Sequence, residues 1–390
     1  MKAGLLGRKL GHSLSPQIHR FFGDYEYRLY EKEPEEVERF LRAGFADGDF
    51  DFLNVTIPYK QTVFELCDEL SPMAQKLGNV NFVMRTADGK LRGDNTDAFG
   101  VGRLLEANGI DVRGWNCAFL GAGGAAMTVK ALLEERGAKR VTFVRRDEEP
   151  SQDDDLIVNA TPVGMFPDVD GVRIDISRYA ACKAVLDLVY NPSPTRLVRE
   201  ALACGKIAAD GMVMLIAQAY RAFLLSNSTT QPLKHSNNLF LYGPPASGKS
   251  TWTKRIAAAT GWTLVDLDAE IVKAAGRSIP EIFAAEGEKG FRAIEKKCLS
   301  SVCGDETSPP PGVCPRQVVA LGGGARLDPE SRKIAEAAGR VVALDCPIET
   351  LKARLTGGDR PLSADTAKLE ALVKSRVAHY ASFPRQVKMI

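Results

Sequence analysis

One stretch limits this chain more than any other: LYGPPASGKST at 241–251. Gly243, Gly248, Lys249 and Ser250 satisfy the pattern GxxxxGK[ST] in full. The stretch lies between an apolar strand-like run, NLFLYG, and a helix-like run, TWTKRIAAATG. In that context it reads as a phosphate-binding turn from a parallel strand into a helix. Backbone N–H groups of such a loop cradle phosphates, Lys249 reaches the outer oxygens, and Ser250 is a ligand for Mg²⁺. Ser247 and Thr251 complete the candidate contacts.

A second glycine loop, FLGAGGAA at 119–126, stands upstream. Gly121 and Gly123 are followed by Ala126, with Ala122, Gly124 and Ala125 between and beside them. The run CAFLGA precedes the loop; a helical run MTVKALLEERG and a strand-like run RVTFVRR follow it. Strand, glycine turn, helix and strand in that order are what a dinucleotide fold requires, with the pyrophosphate at the helix start. An acidic residue at the end of the second strand would hold a ribose hydroxyl, whereas arginine accommodates a 2′-phosphate. Arg145 and Arg146 occupy that end and favour NADP, although Asp147 follows directly and two solvated arginines are the bland alternative. Only Asp147–Asp154 separates this strand from DLIVNATP. A full doubly wound sheet would place a helix and a strand there, so the spacing predicts an abbreviated nucleotide domain lacking one edge strand.

Further apolar runs, among them KAGLLG, KAVLDLVY, QVVALGGG and RVVALD, alternate with helical patterns and predict parallel α/β sheets. The chain has 390 residues, enough for several domains. SNSTTQPLKHSNN at 226–238 is polar and aperiodic and reads as the linker between them; GDETSPPPGVCPRQ at 304–317 reads as a surface insertion. A net charge of +2 argues against nucleic acid and membrane as partners. The eight cysteines form no CxxC pair and histidines number only four, which makes a zinc site or a disulfide framework a poor expectation. Reduced thiols in a cytoplasmic protein are the default.

Ser13 and Ser15 alternate ahead of a Pro-started helix, so both hydroxyls can face one anion near its N-terminus, or one can cap it. Together with NVTIPYK (54–60), GDNTDAFG (93–100), NATPVGM (159–165), DLVYNP (187–192) and GMVMLIAQA (211–219), GHSLSPQIH (11–19) makes the N-terminal part resemble shikimate dehydrogenase. The resemblance implies reduction of 3-dehydroshikimate to shikimate by NADPH. Ketone reduction needs a group that delivers a proton to the developing alkoxide. By resemblance that group is Lys60, paired with Asp97. Ser13 and Ser15 would bind the substrate carboxylate, and Asn54, Thr56, Asn81, Tyr190 and Gln218 would complete the polar lining. Phe82 departs from the family, which usually has Thr after the Asn, and leaves one hydroxyl near the substrate unsupplied at that position.

Residues 239–390 resemble shikimate kinase in LVDLDAEI (264–271), IPEIFAAEGEKGFRAIE (279–295), LGGGA (321–325), TGGDRPL (356–362) and KSRVAHY (374–380). The resemblance puts Asp266 near Mg²⁺ and makes Asp268 the base on the acceptor hydroxyl. It brings the Gly322, Gly323 and Gly324 amides to the ring, and Arg292 and Arg376 to the shikimate carboxylate. Arg360, in a lid, would neutralise the transferring phosphoryl group. Arg376 also shares a helical stripe with Leu369, Leu372, Val373 and Tyr380, where a guanidinium needs an anionic partner. The family continues with a final strand and helix, whereas this chain stops at FPRQVKMI, so either the chain is cut short or nucleotide binding is looser.

The expected architecture is α/β throughout. It comprises a substrate-binding domain (1–97, completed by helix 212–226), an abbreviated Rossmann NADP domain (98–211), a linker (227–237) and a P-loop kinase domain (238–390). The expected chemistry uses NADP(H), ATP and Mg²⁺ on small molecules, the product of the first reaction serving as substrate of the second. The alternatives are a quinate/shikimate dehydrogenase with a related small-molecule kinase, or one half that is inactive and serves as a binding or regulatory module.

Overall fold

A computed structural model describes residues 1–11, 13–227, 238–303, 316–322, 329–356, 379–380 and 382–388. The chain divides into two compact units, Met1–Thr230 with Ala258–Thr260, and Gln231–Ala257 with Gly261–Ile390. No helix among the described residues is long and apolar enough to cross a membrane.

The first unit holds two sheets. Its N-terminal sheet contains β1 (Lys2–Gly7), β2 (Glu26–Glu31), β3 (Phe52–Val55), β4 (Glu69–Leu70), β5 (Phe82–Arg85) and β6 (Leu91–Asp94), in the order β2-β1-β3-β5-β6-β4. β1 lies parallel to both β2 and β3 and is buried along most of its length, as a strand covered on two faces must be. β5 runs antiparallel to β3 and β6, so this sheet is mixed and not the purely parallel one that alternation predicts. The cause is local: Thr86 and Lys90 close a tight hairpin, with Gly89 at φ +89. Successive residues of a strand face opposite sides. Leu53, Val55 and Val83 therefore enter one core, while Phe52, Phe82 and Met84 enter the other, on the face that also carries Asn54.

The second sheet contains β7 (Asn116–Leu120), β8 (Arg140–Val144), β9 (Leu156–Asn159), β10 (Ala184–Asp187) and β11 (Ile207–Asp210), all parallel, in the order β11-β10-β9-β7-β8. β8 is the sheet edge, which is the abbreviation that the short Asp147–Asp154 connection predicts. Acidic side chains pin that connection. The Asp154 carboxylate, 1% exposed, takes Arg140 at 3.0 Å and the Ser151 amide at 2.8 Å, and Tyr179 bonds Glu149. The helices Asp97–Ala107 and Met212–Asn227 pack together so closely that a Cβ on Gly100 would lie 2.7 Å from the Met214 carbonyl oxygen. Val101, Leu104, Leu105 and Met214 belong to the core of this second sheet, and Ala222 to that of the first. Asp97 thus starts a helix anchored in the core of the second sheet.

The second unit is one parallel sheet of β12 (Asn238–Tyr242), β13 (Thr263–Asp266), β14 (Gln317–Ala320), β15 (Gly339–Asp345) and β16 (Gln386–Lys388), in the order β13-β14-β12-β15-β16. β16 corrects the sequence expectation that the chain stops before a final strand. Gln386, Val387 and Lys388 pair in parallel with Ala343, Leu344 and Asp345, and Val387 is buried. The segment Ile279–Cys303 is helical on both sides of a break at Gly287 (φ 66, ψ −169), which resets the direction of the part carrying Arg292 and Glu295.

Candidate active sites

In the first unit, Lys60 opens the helix Lys60–Leu66 and Asp97 opens the helix Asp97–Ala107. Their side chains meet at 2.6 Å between Nζ and Oδ2, with exposures of 16% and 10%. The helix start favours the Asp97 carboxylate, and the carboxylate fixes the ammonium. Asn81 and Gln218 join the group through a residue that the sequence argument missed. Thr96 donates its amide at 2.6 Å and its hydroxyl at 3.2 Å to Asn81 Oδ1, and its hydroxyl lies 3.4 Å from Gln218 Oε1. Asn54 Nδ2 lies 3.5 Å from the Asn81 carbonyl. Ser13 Oγ donates to Ser15 Oγ at 3.1 Å and accepts the Ser15 amide, the first of the following helix, at 3.2 Å. Phe82 is buried beside Phe52, so the hydroxyl that bonds Asn81 comes from Thr96. Thr56 directly follows β3, Tyr190 lies three residues beyond β10, and burial raises the Tyr190 hydroxyl's pKa.

At the first glycine loop, Gly121 has φ +97, and a Cβ there would lie 2.8 Å from Thr161 Cγ2. Fold alone requires glycine at that position. Gly123 and Gly124 differ, since a Cβ at either would meet nothing within 4 Å. Gly123 precedes the helix Gly124–Glu135, which has no side-chain cap and no acidic residue in its first turn. Ala122 is exposed, Ala125 is half-buried, and Ala126 is packed in the core against the sheet. An anion fits this uncapped helix start. Arg145 and Arg146 are exposed at the end of β8, where Arg173 also bonds the Val144 and Arg145 carbonyls.

In the second unit the loop after β12 carries Gly243 (φ 152), Ala246 (φ 62) and Gly248 (φ 91), and the last precedes the helix Lys249–Thr260. Lys249 Nζ donates to the Gly243 and Pro244 carbonyls, each at 2.9 Å. Ser247 is fully buried, and its hydroxyl has no protein partner. A cradle with an unmatched inward hydroxyl fits phosphate oxygens. Ser250 and Thr251 are exposed on the first turn of that helix. Asp266 caps the helix Leu267–Ala275, accepting the Asp268 and Ala269 amides at 3.1 and 3.4 Å. Asp268 has its pKa raised, mainly by burial and then by Asp266, with Lys249 opposing.

Asp268 faces Gly322 so closely that a Cβ on the glycine would lie 2.6 Å from Oδ1 and 3.6 Å from Glu295 Oε1. Glu295, 2% exposed, holds Arg292 at 2.5 Å, and Glu288 takes the same guanidinium at 3.2 Å. Glu295 was overlooked, although its position three residues after Arg292 is a signal that it shares the same helix face. Gly323, Gly324, Arg360 and Arg376 lie outside the described residues.

Known families match both units. Residues 5–83 match the shikimate dehydrogenase substrate binding domain, and residues 245–388 match shikimate kinase. Shikimate dehydrogenase (NADP(+)) of Clostridium perfringens is 33% identical over 266 residues, covering 61% of this chain and 96% of the relative. The chain belongs to the shikimate dehydrogenase family. It also carries a shikimate kinase domain, and the two together make it a bifunctional enzyme of the shikimate pathway that uses NADP(H). Shikimate 5-dehydrogenase from Thermus thermophilus, solved with NADP(H) and shikimate, is 31% identical with a TM-score of 0.53, covering 58% of this chain and 94% of its own. A quinate dehydrogenase from Corynebacterium glutamicum, in complex with NAD, has the same TM-score of 0.53 and 31% identity over 58% and 94% of the two chains.

Proposed function

We propose that the first unit reduces 3-dehydroshikimate to shikimate and that the second phosphorylates shikimate to shikimate 3-phosphate. NADPH supplies the hydride, and Mg·ATP the phosphoryl group. The paired, largely desolvated Lys60–Asp97 contact carries the reading of the first reaction. Lys60 Nζ gives its proton to the oxygen of the reacting ketone, while Asp97 orients the ammonium. Ser13 and Ser15 bind the substrate carboxylate. Asn54, Thr56, Asn81, Tyr190 and Gln218 fix the ring hydroxyls. Gly121, Ala122, Gly123, Gly124 and Ala125 hold the pyrophosphate, and Arg145 and Arg146 the 2′-phosphate.

In the second reaction the half-buried Asp268 beside Gly322 takes the proton of the attacking hydroxyl. Arg292, oriented by Glu295, and Arg376 bind the shikimate carboxylate, and the amides of Gly322, Gly323 and Gly324 approach the ring. Gly243, Ser247, Gly248, Lys249 and Thr251 hold the nucleotide phosphates, Ser250 and Asp266 the Mg²⁺, and Arg360 the transferring group. Two nucleotide loops in one chain serve two consecutive steps. The cytoplasm is the compartment proposed, because it supplies both NADPH and ATP.

The direct test assays the reactions separately on the full chain: oxidation of NADPH with 3-dehydroshikimate, and formation of ADP with shikimate. Absence of either in the pure protein overturns that half. Quinate with NAD is the control, since a quinate dehydrogenase is among the structural neighbours. The proposed boundaries (1–97, 98–211, 227–237, 238–390) imply that a cut between 228 and 236 leaves two active fragments. Loss of either activity on cutting would show that the boundary is misplaced.

A further inference from the structure

The polar lining of the first unit rests on a layer that none of the site motifs includes. Tyr27, on the edge strand β2, sends its hydroxyl to Asn54 Oδ1 at 2.9 Å. That hydroxyl therefore touches a residue assigned to the substrate. Its ring is held from below by His19, stacked at 4.1 Å between centroids with planes 21° apart. His19 in turn meets the Tyr25 hydroxyl through Nδ1 at 2.5 Å. Burial takes the His19 pKa down to about 3, so the layer under the carboxylate-binding serines carries no positive charge at neutral pH.

The Asn54 amide has two ends that differ chemically: an oxygen that accepts and a nitrogen that donates. Its neighbours decide which end points where. On one side the Asn81 backbone carbonyl, 3.5 Å away, can only accept, and so it selects the nitrogen. On the other side stands the Tyr27 hydroxyl, which burial keeps protonated by raising its pKa well above the usual value, and it selects the oxygen. A side-chain amide in an apolar wall without such partners can flip and present either end to a ligand.

We propose that Tyr27 is a positioning residue that fixes the polarity of the Asn54 amide, so that Asn54 offers a donor to a substrate hydroxyl. This rests on the assignment of Asn54 to the substrate. Loss of the Tyr27 hydroxyl leaves the ring and its stack in place and frees the amide to turn. The cost falls on binding of the hydroxylated ring, before any chemistry.

The test is a cycle of Tyr27→Phe, Asn54→Ala and the double variant in the full chain. KM for 3-dehydroshikimate, kcat, KM for NADPH, kinase activity and Tm are measured for each. Tyr27→Phe is expected to raise KM for 3-dehydroshikimate roughly five- to tenfold, the size of one lost hydrogen bond, with kcat within about threefold. The double variant is expected to be no worse than Asn54→Ala alone, because the hydroxyl acts through that amide. KM for NADPH and the kinase should not move. An unchanged KM in Tyr27→Phe, or equal effects of Tyr27→Phe with and without Asn54, overturns the proposal. If Tm falls as well, the cycle still decides, since a general weakening adds to Asn54→Ala and a polarity effect does not. Failure of Asn54→Ala itself to raise KM sinks the substrate assignment of Asn54 instead, and inactivity of the wild type sinks the proposed reaction.

Discussion

Lys60 and Lys249 are each the principal cation of a proposed site, and the protein treats them differently. Lys60 is bonded to a carboxylate 37 residues away in sequence, at 2.6 Å, with both side chains largely withdrawn from water. Lys249 is bonded to the carbonyls of its own loop, five and six residues back. The first contact needs two helices and a sheet to be in place, so it belongs to the assembled fold. The carbonyl bonds of the second need only the loop, although the Asp268 carboxylate also acts on this ammonium. A neutral carbonyl is a weaker partner than an anion, and a phosphate arriving in the cradle can take the ammonium from it. The dehydrogenase site is built around a charge pair completed by the protein, and the kinase site around a cation that is exchanged to its ligand.

Removing each lysine breaks the comparison most directly. Lys60→Ala is expected to lower kcat for 3-dehydroshikimate reduction by ~10²–10⁴-fold, the usual contribution of a positioned acid, with phosphorylation unchanged. A loss under about fivefold would mean that the ammonium is not the proton source. Lys249→Ala is expected to lower kinase turnover by ~10²–10³-fold, as for one electrostatic contact to a developing charge, and to leave the dehydrogenase intact. Because Lys60→Ala also leaves the buried Asp97 without its cation, its Tm should fall further than that of Lys249→Ala, whose ammonium bonds loop carbonyls.

Within the first glycine loop the same contrast separates neighbours. Gly121→Ala places a Cβ 2.8 Å from Thr161 at φ +97, so it should lower Tm as well as cofactor binding. Gly123→Ala meets nothing and keeps an ordinary backbone, so Tm should hold. If Gly123 exists for pyrophosphate approach, KM for NADPH should nevertheless rise, roughly tenfold for one weakened contact. Unchanged KM in Gly123→Ala would mean that the dinucleotide lies elsewhere. Arg146→Ala should raise KM for NADPH more than for NADH, by several-fold for an exposed ion pair. Equal effects would remove it from the 2′-phosphate.

The strands around both loops were legible because buried parallel strands are written as short apolar runs, and KAGLLG, CAFLGA, NLFLYG and RVVALD all fold as such. The missing edge strand was legible as a count of residues between two runs. What was not legible depended on partners distant in sequence. β16 is a three-residue strand with a single buried side chain, and only pairing with β15 defines it. Antiparallel β5 was signalled by the Asp88-Gly89 turn, which the overall alternation obscured. Lys60 alone looks like any surface lysine; the motif, and then Asp97, give it a role. Thr96 and Glu295 lay inside quoted motifs, yet their work is to hold Asn81 and Arg292, and support of that kind appears only when the side chains have coordinates. Tyr27 carried no signal at all, being one polar-edged aromatic on an edge strand.

The smallest expected effect concerns Asp268 and tests whether the kinase carboxylate is tuned by its surroundings. Burial raises its pKa first, the Asp266 charge adds to this, and Lys249 opposes it. A base must be ionised to take a proton, so kinase kcat/KM should fall on the acid side as pH drops through this raised value. The limb should therefore lie above the ordinary aspartate pKa of about 3.9. Asp266→Asn removes one raising influence and should move the limb to lower pH, whatever it does to the maximum rate. Lys249→Ala, in its residual activity, should move it higher. Stability has the opposite sense. With the folded pKa above the unfolded one, the fold binds the extra proton, and stability falls as pH rises from the unfolded to the folded value. Asp268→Asn, which stays neutral, should then melt slightly above the wild type at pH 8 and level with it at low pH, where both carry no charge at this position. If the acid limb stays fixed in both neighbouring variants, the limb belongs to another group, and Asp268 is not the base that its position beside Gly322 suggests.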